Sequence, residues 1–269
     1  MKKLGCLFTI VILGVVGYLF QDNIKGLISP THSDPSRNSK VEVSKNDNDN
    51  DHDEIADSQV YGIDISHYQN NEVDQIVQQN DKIQFVICKA SEGLTYIDPK
   101  FNRNWTTLKE HGVIRGAYHF YRSEDDPEKQ ATFFLNTIST IEKWDIPPIL
   151  DFEEGGINSS QSIEEVQTGV KSFLELIEKK LGRKPILYTD IRTANKYLGD
   201  PYFSDYPLWI ANYINESSPH LPDTWKDRGW TFWQKTSTYQ INDQDNDLDL
   251  FHGSYKDLKT FIRNSYSEN

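Results

Sequence analysis

Apolar residues fall along this chain in three textures. Residues 4–20 form one nearly continuous apolar run, residues 21–59 hold only scattered apolar positions, and from Val60 onward short apolar runs alternate with stretches at helical spacing. The short runs predict strands at 61–65, 85–90, 114–120, 148–152, 186–189, 208–212, 231–234 and 248–251. Helical patterns separate most of the early ones. Ser162 and Glu165 make a capping box, after which Val166, Val170, Phe173, Leu174, Ile177 and Leu181 recur on one face. Asp126-Pro127 supplies an N-cap and a first-turn proline ahead of Ala131, Phe134, Leu135, Ile138 and Ile141. Strand–helix alternation predicts a parallel sheet, and eight such strands in about 200 residues predict an α/β fold of the closed, TIM-like β/α barrel kind. After Thr189 only 191–198 reads as helix before the next strand, and Pro, Trp and Gly interrupt the rest. The expected barrel is therefore irregular, with helices short or missing in its second half.

The first two textures lie outside that barrel. The run 4–20 would rise roughly 25 Å as a helix, near the lower limit for a bilayer span. Lys2 and Lys3 precede it and no charge interrupts it. This predicts a cytoplasmic 1–3, an uncleaved membrane anchor at 4–20 and everything after it outside the cell membrane. The alternative is a secreted chain after signal cleavage, for which Val15-Val16-Gly17 is a poor site. Leu4-Gly5-Cys6 precedes the apolar region where a lipoprotein box would follow it. Residues 21–59, rich in Asn, Asp, Ser and Lys, read as a disordered acidic linker. As a flexible coil it would span about 35 Å, and the folded domain at 60–269 would stay near the membrane.

Polar residues gather where the predicted strands end. Asp64 closes the first, with Ser66 and Gln69 just beyond, and Lys89, Ser91 and Glu92 close the second. Tyr118 and His119 lie in the third, Tyr188 in the fifth, Trp209 in the sixth with Asn212-Tyr213 at its end, and Gln234 ends the seventh. Asp247 and Asp249 border the eighth. The fourth reads Ile149-Leu150-Asp151-Phe152-Glu153, and residues two apart on a strand point the same way. Asp151 and Glu153 would thus share a face, where like charge raises one pKa and leaves a proton donor beside an anion. That pair suits glycosidic bond cleavage. A lone His119 on an apolar strand reads more simply as a hydrogen-bonded core residue.

Charge and composition narrow the alternatives. The net charge of −13, with no basic cluster, argues against nucleic acid. Seven scattered histidines and an unpartnered Cys88 do not make a zinc site. His52 and Ser58 occupy the glycine and glutamate places of a calcium loop starting at Asp47, and Leu248 stands where such a loop in 242–249 needs glycine. No metal and no cofactor is expected.

Seven motifs in order resemble a known family. They are Asp64-Ile65-Ser66-His67-Tyr68-Gln69, Lys89-Ala90-Ser91-Glu92-Gly93, Gly116-Ala117-Tyr118-His119-Phe120, Asp151-Phe152-Glu153, Leu208-Trp209-Ile210-Ala211-Asn212-Tyr213, Trp233-Gln234 and Asp247-Leu248-Asp249-Leu250-Phe251-His252-Gly253. From about Tyr61 to Ile262 the chain looks like the Chalaropsis-type lysozymes, glycoside hydrolase family 25. The resemblance implies an irregular β/α barrel and cleavage of the β-1,4 bond between N-acetylmuramic acid and N-acetylglucosamine in peptidoglycan. Matched by motif, the acids would be Asp64, Asp151, Glu153 and Asp247. The family often has Asn at the place of Asp249, so two acids compete for the last role, and spacing to Phe251-x-Gly253 assigns it to Asp247.

Glu153 would be the general acid. Asp151 would either steady the oxocarbenium-like centre or orient the 2-acetamido group, with direct attack, water activation and substrate assistance all open. Tyr118, Tyr188, Trp209, Tyr213, Gln234, Lys89 and Glu92 would bind sugar. The expected partners are peptidoglycan glycan strands and the cell membrane, with the chain a monomer. A chitinase-like N-acetylhexosaminidase and a non-catalytic wall-binding module are the rival readings.

Overall fold

The computed structural model describes residues 59–69, 73–80 and 82–266. The expected anchor at 4–20 and all of the expected linker but Gln59 lie outside the described residues. Among the described residues no helix is long and apolar enough to cross a membrane.

Among the described residues nine strands and six helices follow in the order β1 (Val60–Ile65), α1 (Val73–Gln79), β2 (Ile83–Glu92), β3 (Tyr96–Ile97), α2 (Phe101–Glu110), β4 (Ile114–Phe120), α3 (Pro127–Ile138), β5 (Ile149–Asp151), α4 (Ile163–Leu181), β6 (Ile186–Asp190), α5 (Ile191–Tyr197), β7 (Leu208–Ala211), β8 (Phe232–Ile241), β9 (Gln244–Phe251) and α6 (Tyr255–Asn264). The sheet order is β1-β9-β8-β7-β6-β5-β4-β2, and pairing of β1 with β2 closes it into an eight-stranded barrel, with β3 a short flank on β2. All eight predicted strands are present. The predicted parallel sheet needs one correction: β9 runs antiparallel to both β8 and β1, so the barrel is mixed. The cause is a two-residue turn at Asn242-Asp243, with φ of 52° and 59°. Positive φ at both central residues is the type I′ turn, whose twist suits a hairpin and returns the chain antiparallel.

The termini of the helices follow their residues. Ser162 and Glu165 form the reciprocal capping box of α4, and Gly182 ends it in the left-handed conformation at φ 61°. Asp126 caps α3 through Lys129 N. Between β7 and β8 the connection holds only a 3-10 turn at Asp223–Trp225, which is the expected thinning of helices.

Alternation along the strands builds two apolar layers. One lies between sheet and helices and includes Val86, Cys88, Leu150, Phe173, Ile177, Leu187, Ile210 and Trp233. The other fills the barrel and includes Val60, Phe85, Ile87, Ile149, Ile186, Trp209, Phe232 and Phe251. Leu258 and Ile262 of α6 join that inner layer and seal one end of the barrel. Phe85, Phe251 and Phe261 pack around Phe232 with centroids 5.3–5.9 Å away. Gly62 makes room for this cluster, since a Cβ there would lie 2.3 Å from the Phe85 ring. His119 is fully buried in the outer layer, where Ser91 Oγ at 2.9 Å and Gln130 Oε1 at 3.2 Å satisfy its ring nitrogens. It is the core residue its apolar setting predicts.

Candidate active site

Inward positions change character along each strand. Phe85, Ile149, Ile186 and Phe232 face inward toward the α6 end. Two residues further on, or four along β2, the same inward face presents Lys89, Asp151, Tyr188 and Gln234. In antiparallel β9 the order reverses, with Asp247 and Asp249 preceding Phe251. The polar ends meet at the mouth opposite α6 in a cavity of ≈ 190 Å³ lined by Asp64, Tyr118, Asp151, Glu153, Tyr188, Trp209, Tyr213, Gln234 and Asp247. Every barrel strand except β2 thus contributes a residue from itself or from just past its end.

A hydrogen-bonded frame holds these groups. Gln234 Nε2 donates to Asp64 Oδ2 at 2.6 Å, while Gln234 Oε1 accepts from Tyr188 Oη at 2.9 Å and Tyr213 Oη at 2.6 Å. One glutamine therefore fixes a carboxylate and two phenols. Gln69 Nε2 reaches Asp247 Oδ2 at 3.5 Å from the loop after β1. Register places Asp64 directly across from Asp247 on β9. Glu153, just past β5, keeps extended backbone at φ −124° and ψ 157°. It therefore stays on the face of Asp151, as two-residue spacing predicts.

Crowded carboxyls buried away from water resist ionisation. Burial, then the charge of Asp247, pushes Asp64 well above the ordinary carboxylate range, against the Gln234 bond. Burial and then Glu153 do the same to Asp151, against the nearby Lys89. Glu153 is raised by burial and then by Asp190, while Tyr188 and Lys89 oppose the rise. Asp247 is pushed up to about 6 by burial and Glu153. Such a set keeps at least one proton available near neutral pH beside groups that carry charge. Asp151 Oδ1 is buried and accepts no hydrogen bond from the described residues.

The four predicted acids and five of the predicted sugar-binding residues therefore converge. Lys89 and Glu92 do not line the cavity. They pair with each other at 2.7 Å, Glu92 also binds Arg122, and the Lys89 ammonium lies 5.0 Å from the Phe120 ring centre. Trp209 is nearly fully buried and forms floor, whereas Tyr213 is 46% exposed at the mouth. Asp190 was not singled out by the sequence reading. It ends β6, accepts from Arg192 N and Thr193 N at the start of α5, and acts on Glu153 through its charge. The strand-end rule that finds Asp64 would have found it, had the strand predicted at 186–189 been extended by one residue. Among the described residues, no group of three or more His, Cys, Asp or Glu is placed to hold a metal ion.

Comparison with known proteins agrees with this geometry. The sequence profile of Glycosyl hydrolases family 25 matches residues 63–244. The chain is 28% identical over 218 residues to Lysozyme M1 of Streptomyces globisporus, across 77% of this chain and 73% of that protein. It is 29% identical over 214 residues to N,O-diacetylmuramidase of Chalaropsis sp, across 74% of this chain and 97% of that one. The bacterial lysozyme from Streptomyces coelicolor has a crystal structure that superposes with a TM-score of 0.69 at 29% identity, covering 77% of this chain and 99% of that chain.

Proposed function

The chain belongs to glycosyl hydrolases family 25, and from that premise we propose that it cleaves the β-1,4 bond between N-acetylmuramic acid and N-acetylglucosamine, with Glu153 as general acid. It is a glycoside hydrolase whose relatives are lysozymes and muramidases. The observation that supports the assignment is the convergence of Asp64, Asp151, Glu153 and Asp247 on one cavity beside Tyr118, Tyr188 and Tyr213.

Glu153 suits proton donation to the leaving oxygen. Burial and the Asp190 charge favour its protonated form, and its position at the pocket wall leaves it open to substrate. As the glycosidic bond lengthens, positive charge grows at the ring, and the neighbouring carboxyls stabilise it. Asp151 takes a second part. Its carboxyl lines the cavity beside Glu153, where it can accept from the N–H of a 2-acetamido group. This favours the substrate-assisted route, in which the acetamido oxygen attacks the anomeric carbon while Asp151 holds the nitrogen. Tyr213 and Tyr118 offer the sugar hydroxyl contacts and a ring face at the mouth. Residues 1–59 would act as anchor and tether, confining the domain to the outer membrane face for wall remodelling or local wall opening.

Glu153→Gln tests the central role. It should lower turnover on purified peptidoglycan by about 10²–10⁴-fold with circular dichroism and thermal midpoint retained. Mass spectrometry of the wild-type digest should find fragments ending in reducing N-acetylmuramic acid. Turnover near wild type in the variant, or fragments ending in N-acetylglucosamine, would refute the assignment.

A further inference from the structure

Asp249 is the acid that this mechanism leaves unused. It is 0% exposed, below the cavity and not part of its lining. Its Oδ1 accepts from Trp209 Nε1 at 2.8 Å. Its Oδ2 is buried and receives no N–H or neutral O–H donor from the described residues. The Asp64 carboxyl lies within hydrogen-bonding reach of the Asp249 carboxyl. Register explains the meeting. Asp249 pairs across the strands with Gly62, Asp64 pairs with Asp247, and all three acids face the same side of β1 and β9. Gly62 has no side chain to stand between them.

Two carboxyls bond to each other only when one of them holds a proton. Asp64 already accepts from Gln234 Nε2, so a carboxylate at Asp64 can accept a second donor. Asp249 has an acceptor bond at one oxygen and a free lone-pair oxygen at the other, which is the position for O–H. The charged and titratable groups that face this pair are Asp247 on the same strand, Glu153 past β5, Tyr213 past β7, Tyr118 of β4, Tyr188 of β6 and Cys88 of β2, and none of them is positive at neutral pH. Gln234 of β8 and Trp209 of β7 complete the surroundings and do not titrate in this range. None of these groups would compensate a second negative charge.

We propose that Asp249 is a neutral carboxylic acid throughout the working pH range and donates its proton to Asp64, as a positioning residue that fixes the Asp64 carboxylate beneath the bound sugar. Burial is the first cause favouring that proton, followed by the charges of Asp64 and Asp247. The proposal deepens the muramidase reading and, for its kinetic part, rests on it. It also resolves which of two acids on β9 belongs to the reaction: Asp247 faces the cavity, and Asp249 braces from below.

Asn is the informative replacement, because its amide nitrogen donates to Asp64 while its oxygen accepts from Trp209. Asp249→Asn should retain turnover within about threefold and leave both limbs of the pH–rate profile in place. Asp249→Ala should lose turnover by up to about 10²-fold, the scale of a misplaced group near the reaction, with KM little changed and the fold retained. Were Asp249 ionised, the Asn variant would remove a negative charge, lower the pKa of its neighbours and move the alkaline limb to lower pH. That shift, or a loss in Asp249→Asn as large as in Asp249→Ala, would overturn the proposal. Infrared difference spectra of wild type against Asp249→Asn at pH 7 give a readout independent of activity. A carbonyl band of a protonated carboxylic acid, present in wild type and missing in the variant, is expected, and its absence overturns the proposal even if the chain cuts another glycan.

Discussion

Asp247 and Asp249 stand two residues apart on β9 and meet different surroundings. Asp247 reaches the cavity, where burial and Glu153 push it up to about 6. Coupling between the two acids is mutual, so Asp247→Asn should make the Glu153 anion easier to form. Its pKa should fall, and the alkaline limb of the pH–rate profile should move to lower pH, in contrast to Asp249→Asn. Stability should respond with the opposite preference. A carboxyl raised above its unfolded value near 3.8 contributes fully below that value and loses its contribution as pH rises through about 6. Asp247→Asn should therefore raise the thermal midpoint by a few degrees at pH 7.5 and leave it unchanged at pH 3.5, as calorimetry would read. At this scale strand-end position drew attention to Asp64, Glu92, Asp151, Glu153, Asp247 and Asp249, and the family motifs selected Asp64, Asp151, Glu153 and Asp247 among them. The sequence placed Lys89 and Glu92 among the sugar-binding residues, whereas the ion pair of Glu92 with Arg122 depends on where β2 and β4 meet.

Elements differed in legibility for a physical reason. Strands buried on both faces announce themselves as apolar runs, and all eight predicted runs became barrel strands. The outer part of the β8–β9 hairpin did not, because Lys235 to Asp247 contains few apolar residues and is held by backbone bonds across the turn. Its sign was the Asn242-Asp243 pair, a residue choice suited to positive φ. Gly62 belongs to the same scale. Gly62→Ala would drive a methyl into the Phe85 ring, and overpacking of this kind costs about 1–3 kcal/mol. Urea unfolding should show that loss as a lower midpoint with an unchanged slope, and an undiminished midpoint would mean the ring can withdraw.

For the whole molecule, closure of the sheet is what assembles the site. Asp64 and Asp247 are separated by nearly the full length of the folded domain, yet they become cross-strand neighbours once β9 pairs with β1. The proposed tether acts at this scale too. Full-length protein should sediment with membranes while a chain lacking residues 1–20 should not, and recovery of the full-length chain in the soluble secreted fraction would exclude the anchor. What the sequence alone determined was the eight barrel strands, the caps of α3 and α4, the thinning of helices after β6 and the residues able to move a proton, because burial periodicity and side-chain chemistry are local properties. Only the tertiary structure decided that β9 turns back antiparallel, that Gln234 clamps Asp64 to two tyrosines, and that Asp249 lies under the pocket instead of in it. Those outcomes depend on register between strands far apart in the chain, and a register shift of one residue would have turned each of these side chains to the opposite face.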